Sequence, residues 1–196
     1  DRSAASIAWS RDGKSLLVTA DDIGKHRLFR IAIKTNSVTA LSKDGHIDAF
    51  AETPTGFVFQ KSGLHGPAQL YAAAPKTKSI DEGASVLTLV NTSLKHKIFG
   101  VYEQFSFSGW NNEQVYGYVV KPANYVEGRK YPVAFLIHGG PQGSFGEMWS
   151  YRWNAQTYAG QGYAVVMIDF HGSTGYGQAF TDAINQLKRQ VYVVHQ

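Results

Sequence analysis

Tyr131-Pro-Val-Ala-Phe-Leu-Ile-His-Gly-Gly-Pro141 and Gly162-Tyr-Ala-Val-Val-Met-Ile-Asp-Phe-His-Gly-Ser-Thr-Gly-Tyr-Gly177 share one pattern. In each, a short unbroken apolar run (132–137 and 163–168) ends in a glycine-rich segment. Runs of this length without alternation belong to strands covered on both faces. Between them, Tyr151, Ala155, Tyr158 and Ala159 fall at i, i+4, i+7 and i+8, which predicts a helix over 150–161. Ser150 is its expected N-cap, and Gly160 or Gly162 its stop. Strand, helix, strand at this spacing is a βαβ unit, hence a parallel sheet. Just upstream, 103–108 and 114–121 alternate as a hairpin around the polar tip Trp110-Asn111-Asn112-Glu113, and 122–130 reads as a loop.

The first ~90 residues have a different character, with short strands bounded by breakers. Strands are expected at 7–10, 15–20, 28–33 and 38–41, with Asp12-Gly13 turning the first pair. The pattern restarts with strands at 47–51, 56–60 and 68–74. Leu28-Phe29 and Leu70-Tyr71 mark equivalent points about 42 residues apart (28 to 70). That period suits four-stranded propeller blades, and an open antiparallel sheet is the alternative. Residues 75–91 lead out of the β region, and the change to α/β falls between about 92 and 103.

Composition narrows the function classes. The chain has 196 residues, 43% hydrophobic and 17% charged, which is globular rather than disordered. The net charge of +4 comes from no long basic block; Lys95-His96-Lys97 and Lys188-Arg189 read as solvated surface. With no recognisable nucleic-acid module, nucleic acid is not an expected partner. No apolar run approaches the ~20 residues that cross a bilayer, so no membrane partner is expected. The absence of cysteine removes disulfides, thiol nucleophiles and cysteine–zinc sites, and no metal or other cofactor is expected. The first residue is Asp1, which suits a processed or excised start as well as a cytosolic one. Asn91-Thr92-Ser93 is a glycosylation acceptor if the chain is secreted.

Both glycine-rich segments lie at the C-terminal ends of the predicted parallel strands, where open α/β sheets place ligands. Glycine lets the backbone approach a substrate closely, and a freed N–H there can donate to an oxyanion developing on a carbonyl. His138-Gly139-Gly140-Pro141 has that form, although a tight turn that only redirects the chain would look the same. The segment 171–177 lacks both the Gly-Lys-Ser/Thr ending and the G-x-G-x-x-G spacing of phosphate loops, so a structural loop beneath the site is expected.

These segments, in this order, resemble the prolyl oligopeptidase family of serine peptidases, in which a β-propeller precedes an α/β-hydrolase domain. Gly140–Gly146, Ser150–Asn154 and Gly175–Asp182 look like its secreted fungal dipeptidyl-peptidase V branch, and Trp9–Lys14 resembles a late propeller turn. The resemblance runs from about residue 3 to about 186. It implies an α/β-hydrolase N-terminal part with a parallel sheet, preceded by the last propeller blades. The implied divisions are 1–95 for the blades, 96–186 for the hydrolase part and 187–196 for an atypical tail. It implies that the Gly140 N–H serves the oxyanion hole, that Gly139 and Pro141 shape the loop, and that His138 is structural rather than catalytic. His171 stands where many relatives carry Arg and is assigned no chemistry. The implied product is a secreted serine-type dipeptidyl-peptidase acting on peptides through an acyl-enzyme.

A G-x-S-x-G elbow is absent from the sequence; Ser144 and Ser173 come nearest and lack the spacing. In this fold nucleophile, acid and histidine all follow the oxyanion loop, so no catalytic triad residue is expected in the chain, and Asp169 and Asp182 are not triad acids. The tail 187–196 matches nothing expected of the family, as a gene-model error, retained intron or frameshift would produce. A non-catalytic binding or antigenic protein on the same fold is one alternative, and an esterase-like hydrolase is another. The strand at 132–137 would also lack a neighbour, and two blades cannot close a propeller. The isolated chain is therefore expected to be inactive and poorly soluble or unstable; a sharp, reversible two-state melt of the purified chain would contradict this.

Overall fold

The computed structural model describes residues 1–75, 78–140 and 142–185. The expected tail at 187–196 and Pro141 lie outside them. The N-terminal half is two antiparallel meanders: β1 (Ala4–Trp9), β2 (Ser15–Asp21), β3 (His26–Ala32) and β4 (Val38–Ala40), then β5 (His46–Thr53), β6 (Gly56–Gly63), β7 (Gly66–Ala73) and β8 (Ser85–Val86). One parallel bridge, His26 to His46, joins them. Inward positions of the alternating strands, Leu17, Leu28, Ile47 and Phe59, make a core with Ile80 from the β7–β8 connection, each 1% exposed or less. Gly56 turns β5 into β6 at φ +133°, where a Cβ would stand 1.9 Å from Ala73 O, so only glycine fits.

The second sheet is mixed rather than parallel throughout. Its order is β11 (Val133–Leu136), β12 (Ala164–Asp169), β10 (Gln114–Val120), β9 (Tyr102–Ser108). β11 and β12 run parallel, as the βαβ pattern requires, and the hairpin β9–β10 adds antiparallel to β12, with Tyr116 opposite Asp169. Val120, Val165 and Met167 pack with Ala155 and Ala159 of the crossover helix. β11 stands at the edge, and Val133, Phe135 and Ile137 around it are about half exposed or more.

The crossover helix α1 (Ala155–Gly160) is shorter than the 150–161 expected. Ser150 does not cap it: Ser150 Oγ accepts from Trp153 N (2.9 Å) and Arg152 N (3.3 Å), closing a separate turn that leaves Tyr151 outside the helix. Asn154 is the cap, its Oδ1 accepting from Gln156 N at 2.8 Å. A second short helix, α2 (Gln178–Asp182), follows the second glycine-rich loop.

The two sheets meet at the β2–β3 turn. Ile23 N donates to Gly175 O (3.0 Å), and Gly24 O accepts from Glu147 N (2.7 Å) and from the Tyr118 hydroxyl (3.1 Å). The buried Glu147 carboxylate accepts from Gly45 N (2.9 Å) and the Tyr102 hydroxyl (2.5 Å). Burial, with the Glu147 charge close by, raises both phenols far above their ordinary value. A second tie is Gln156, which accepts from Gly100 N (2.8 Å) and donates to Leu64 O and Gly100 O (3.0 Å each).

Two expected outcomes follow from this junction. Gln156→Leu strands three buried backbone groups at about 1–3 kcal/mol each when unpaired. It should lower the stability read from urea unfolding by about 3 kcal/mol or more, whereas exposed Thr157→Ala should stay within about 0.5 kcal/mol. His46 stacks on His26 with ring centroids 4.5 Å apart. Burial, then the His26 charge, holds His46 below its ordinary 6.5 despite Asp48 and Asp21. The unfolded chain therefore takes up the proton first as pH falls, so stability present above 6.5 is lost below it. The urea midpoint should drop between pH 7 and 5.5, and drop less in His46→Phe, which keeps the stack without the titration.

Candidate active site

Because β11 and β12 are parallel, the loops that follow them leave the same end of the sheet. They interlock there. The His138 ring stacks on Phe170 with centroids 4.4 Å apart, and its Nε2 meets Ser173 Oγ at 2.9 Å. Its Nδ1 lies 2.9 Å from Gly139 O. A carbonyl oxygen only accepts, so Nδ1 carries a proton there.

That contact sets the direction of the next amide. Gly139 C=O and Gly140 N–H belong to one planar trans peptide and point opposite ways. With the carbonyl drawn to His138, the Gly140 N–H is turned away from it, and no acceptor among the described residues engages it. Gly139 is exposed, with nothing within 4 Å of a Cβ built on it. Gly140 has φ +130°, and a Cβ there would stand 2.7 Å from Gln142 N. The result is a strip of exposed glycine backbone whose Gly140 N–H meets no acceptor among the described residues.

Behind the strip lies a carboxylate. Asp169 closes β12 and is 4% exposed. Its Oδ2 accepts from Ser144 Oγ (2.5 Å) and the Tyr176 hydroxyl (2.7 Å), and its Oδ1 from Phe145 N (3.1 Å). His138 Nε2 lies 3.6 Å from Oδ1. Burial pushes the Asp169 carboxyl up; the Ser144, Tyr176 and Phe145 hydrogen bonds and the nearby His138 pull down without cancelling it. Farther along, Thr174 N donates to Gly143 O (2.9 Å) and Thr174 Oγ1 to Asp21 Oδ2 (2.6 Å), so the loop pair is moored to the first sheet. Burial works to raise Asp21, but hydrogen bonds from His26 and Thr174 outweigh it and hold this carboxyl below the usual range.

An apolar cavity of about 400 Å³ opens beside the loop between Phe145, Trp149, Trp153, Tyr158 and Leu136, with room for an apolar side chain. The remaining sequence candidates lie elsewhere or are engaged. His171 Nε2 is bonded to Glu113, and its ring stacks on Phe180 at 4.5 Å. Asn91 begins the 3-10 turn Thr92–His96 on the side of the first sheet, where its Nδ2 donates to Ala68 O at 3.1 Å. Among the described residues no three His, Asp or Glu side chains converge as a metal site.

Sequence reasoning passed over Asp169, Ser144 and Tyr176, which the fold brings to one point. The signal was a carboxylate ending an otherwise apolar strand at 163–168, a position where ionisable groups stay only if hydrogen-bonded.

The chain is similar to several known proteins. A family model described as the prolyl oligopeptidase family matches residues 149–194. Dipeptidyl-peptidase 5 of Aspergillus fumigatus is 36% identical over 188 residues, covering 94% of this chain and 26% of that protein. Dipeptidyl-peptidase 5 of Schizosaccharomyces pombe gives the same figures. The chain spans about a quarter of the length of the curated relatives it matches. Among solved structures, acylaminoacyl peptidase of Pyrococcus horikoshii superposes with a TM-score of 0.76 at 25% identity, over 94% of this chain and 28% of that one. With a peptidase-family model over residues 149–194 and dipeptidyl-peptidase likeness across nearly the whole length, the chain belongs to the prolyl oligopeptidase family of serine peptidases.

Proposed function

We propose that this chain is the part of a serine-type dipeptidyl-peptidase that carries its oxyanion loop, with the Gly140 N–H as an oxyanion donor. The observation that carries the reading is the 36% identity over 94% of the chain to proteins named dipeptidyl-peptidase 5. That the Gly140 N–H meets no acceptor among the described residues supports the donor role, since catalysis needs a preorganised N–H aimed where charge develops. His138 holds the loop from behind instead of meeting substrate, and Gly139 and Pro141 shape it. The serine, the acid and the catalytic histidine lie in sequence beyond this chain. There the serine attacks the peptide carbonyl with histidine as base, forming the acyl-enzyme.

On the same reading, residues 1–95 are the last blades of a β-propeller and 96–186 the start of the hydrolase domain. Two consecutive four-stranded meanders support the first assignment, and the mixed sheet with its βαβ crossover the second. The longer protein is secreted, acts on peptides and carries a glycan on Asn91; the single hydrogen bond made by Asn91 Nδ2 leaves its second hydrogen for the glycosyl link. The likeness to acylaminoacyl peptidase favours a second reading, in which the peptide N-terminus is acylated instead of free.

The longer protein should release p-nitroaniline from a dipeptidyl p-nitroanilide with a free amino group, and the N-acetylated version should be cleaved only if the second reading holds. Gly140→Ala places a methyl against Gln142 N and tilts the donor. It should lower kcat roughly 10²-fold, the low end for losing one oxyanion donor, with KM little changed. Full activity in Gly140→Ala would remove the donor role.

A further inference from the structure

We infer that Asp169 is a positioning residue: as a buried carboxylate that accepts hydrogen bonds from both loops it clamps the descending limb of the oxyanion loop and thereby fixes where Gly140 N–H points. This rests on the reading of the loop proposed above.

The argument begins with donor counting. A carboxylate offers about four acceptor sites and no donor. Three donors meet it within 3.1 Å: the Ser144 hydroxyl, the Phe145 amide and the Tyr176 hydroxyl. Two of these, Ser144 and Phe145, are consecutive residues of the loop itself. The third, Tyr176, comes from the opposing loop and is held by stacking on Tyr116 at 5.6 Å, while Tyr116 pairs in register with Asp169. The clamp is therefore referenced to the sheet. An asparagine keeps one acceptor oxygen for the Phe145 amide but makes the other position an NH2, so the Ser144 and Tyr176 hydroxyls would have to turn round and accept.

Geometry links the clamp to the amide. From Gly140 to Ser144 the chain is only four residues long, and its other end is tied by His138 to Ser173 and to Gly139 O. Gly143 O is fixed by Thr174 N. Release of Ser144 and Phe145 leaves the Thr174 N–H on Gly143 O as the remaining tie on that side, and the peptide that carries Gly140 N–H gains freedom to rotate. Burial of a charge is costly unless it is fully hydrogen-bonded. Ser144 and Phe145, two of the donors that meet this need, belong to the loop, so the carboxylate and the loop conformation stabilise each other.

The test compares Asp169→Asn and Ser144→Ala, the second removing one loop donor and leaving the carboxylate in place. In the longer protein, exchange of the hydrogen-bonded amides of Phe145, which donates to Asp169, and Thr174, which donates to Gly143 O, should quicken at least tenfold in Ser144→Ala while exchange in β10 and β12 stays unchanged. In the longer peptidase, kcat for a dipeptidyl p-nitroanilide should fall roughly tenfold in Ser144→Ala and further in Asp169→Asn, with KM within about twofold. If Asp169→Asn does not fold, Ser144→Ala decides. Unchanged exchange in the loop, or unchanged kcat in a folded variant of an active enzyme, overturns the clamp. If the longer protein cleaves no such substrate, the peptidase reading falls while the exchange result still judges the clamp.

Discussion

A buried carboxylate must be surrounded by donors, and around Asp169 that demand organises the site end of the α/β sheet. Strand β12 delivers the carboxylate to the point where two loops meet, and the loops supply the donors: Ser144 and Phe145 from one, Tyr176 from the other. Each loop is thereby held by its neighbour through a group on the sheet between them. The same end of the sheet is moored outward, since Thr174 next to this cluster donates to Asp21 of the first sheet.

The β2–β3 turn plays the matching part on the other side. It places Ile23, Gly24 and Asp21 against Gly175, Glu147 and Thr174. Glu147 lies one residue beyond Gly146 at the end of the first glycine-rich loop and makes two hydrogen bonds across the junction, its N–H donating to Gly24 O and its carboxylate accepting from Gly45 N, while the Tyr102 hydroxyl holds the carboxylate from its own sheet. The junction is thus polar and saturated rather than greasy, and its geometry depends on hydrogen-bond direction more than on area. A loop held from the sheet by Asp169 and from the neighbouring unit by Glu147 has little freedom left. Freedom lost before substrate arrives is what an oxyanion donor requires, because no reorganisation then remains for the reaction step.

Much of the fold was legible in residue patterns. Unbroken apolar runs marked β11 and β12, alternation marked the hairpin, and the breaker spacing marked seven of the eight strands of the meanders. The helix start was misplaced because Ser150 and Asn154 are both good caps, and choosing between them depends on which side chain meets a free amide in three dimensions. Strand β8 and helix α2 are too short for periodicity to register. At the site, glycine spacing pointed to the loop and its exposed backbone. The carboxylate behind it was invisible as a functional group, since its partners lie 24–25 and 7 residues away in sequence and converge only through the parallel pairing of β11 with β12.

The central claim is that Gly140 N–H is held ready for a developing oxyanion. The most direct measurement is a structure of the longer peptidase with a peptide boronate bound covalently to its serine. The account predicts a boronate oxygen about 2.7–3.1 Å from Gly140 N, with Gly139 O still on His138 Nδ1. A boronate whose oxygens all face other donors, with Gly140 N–H turned inward onto a protein acceptor, would contradict it.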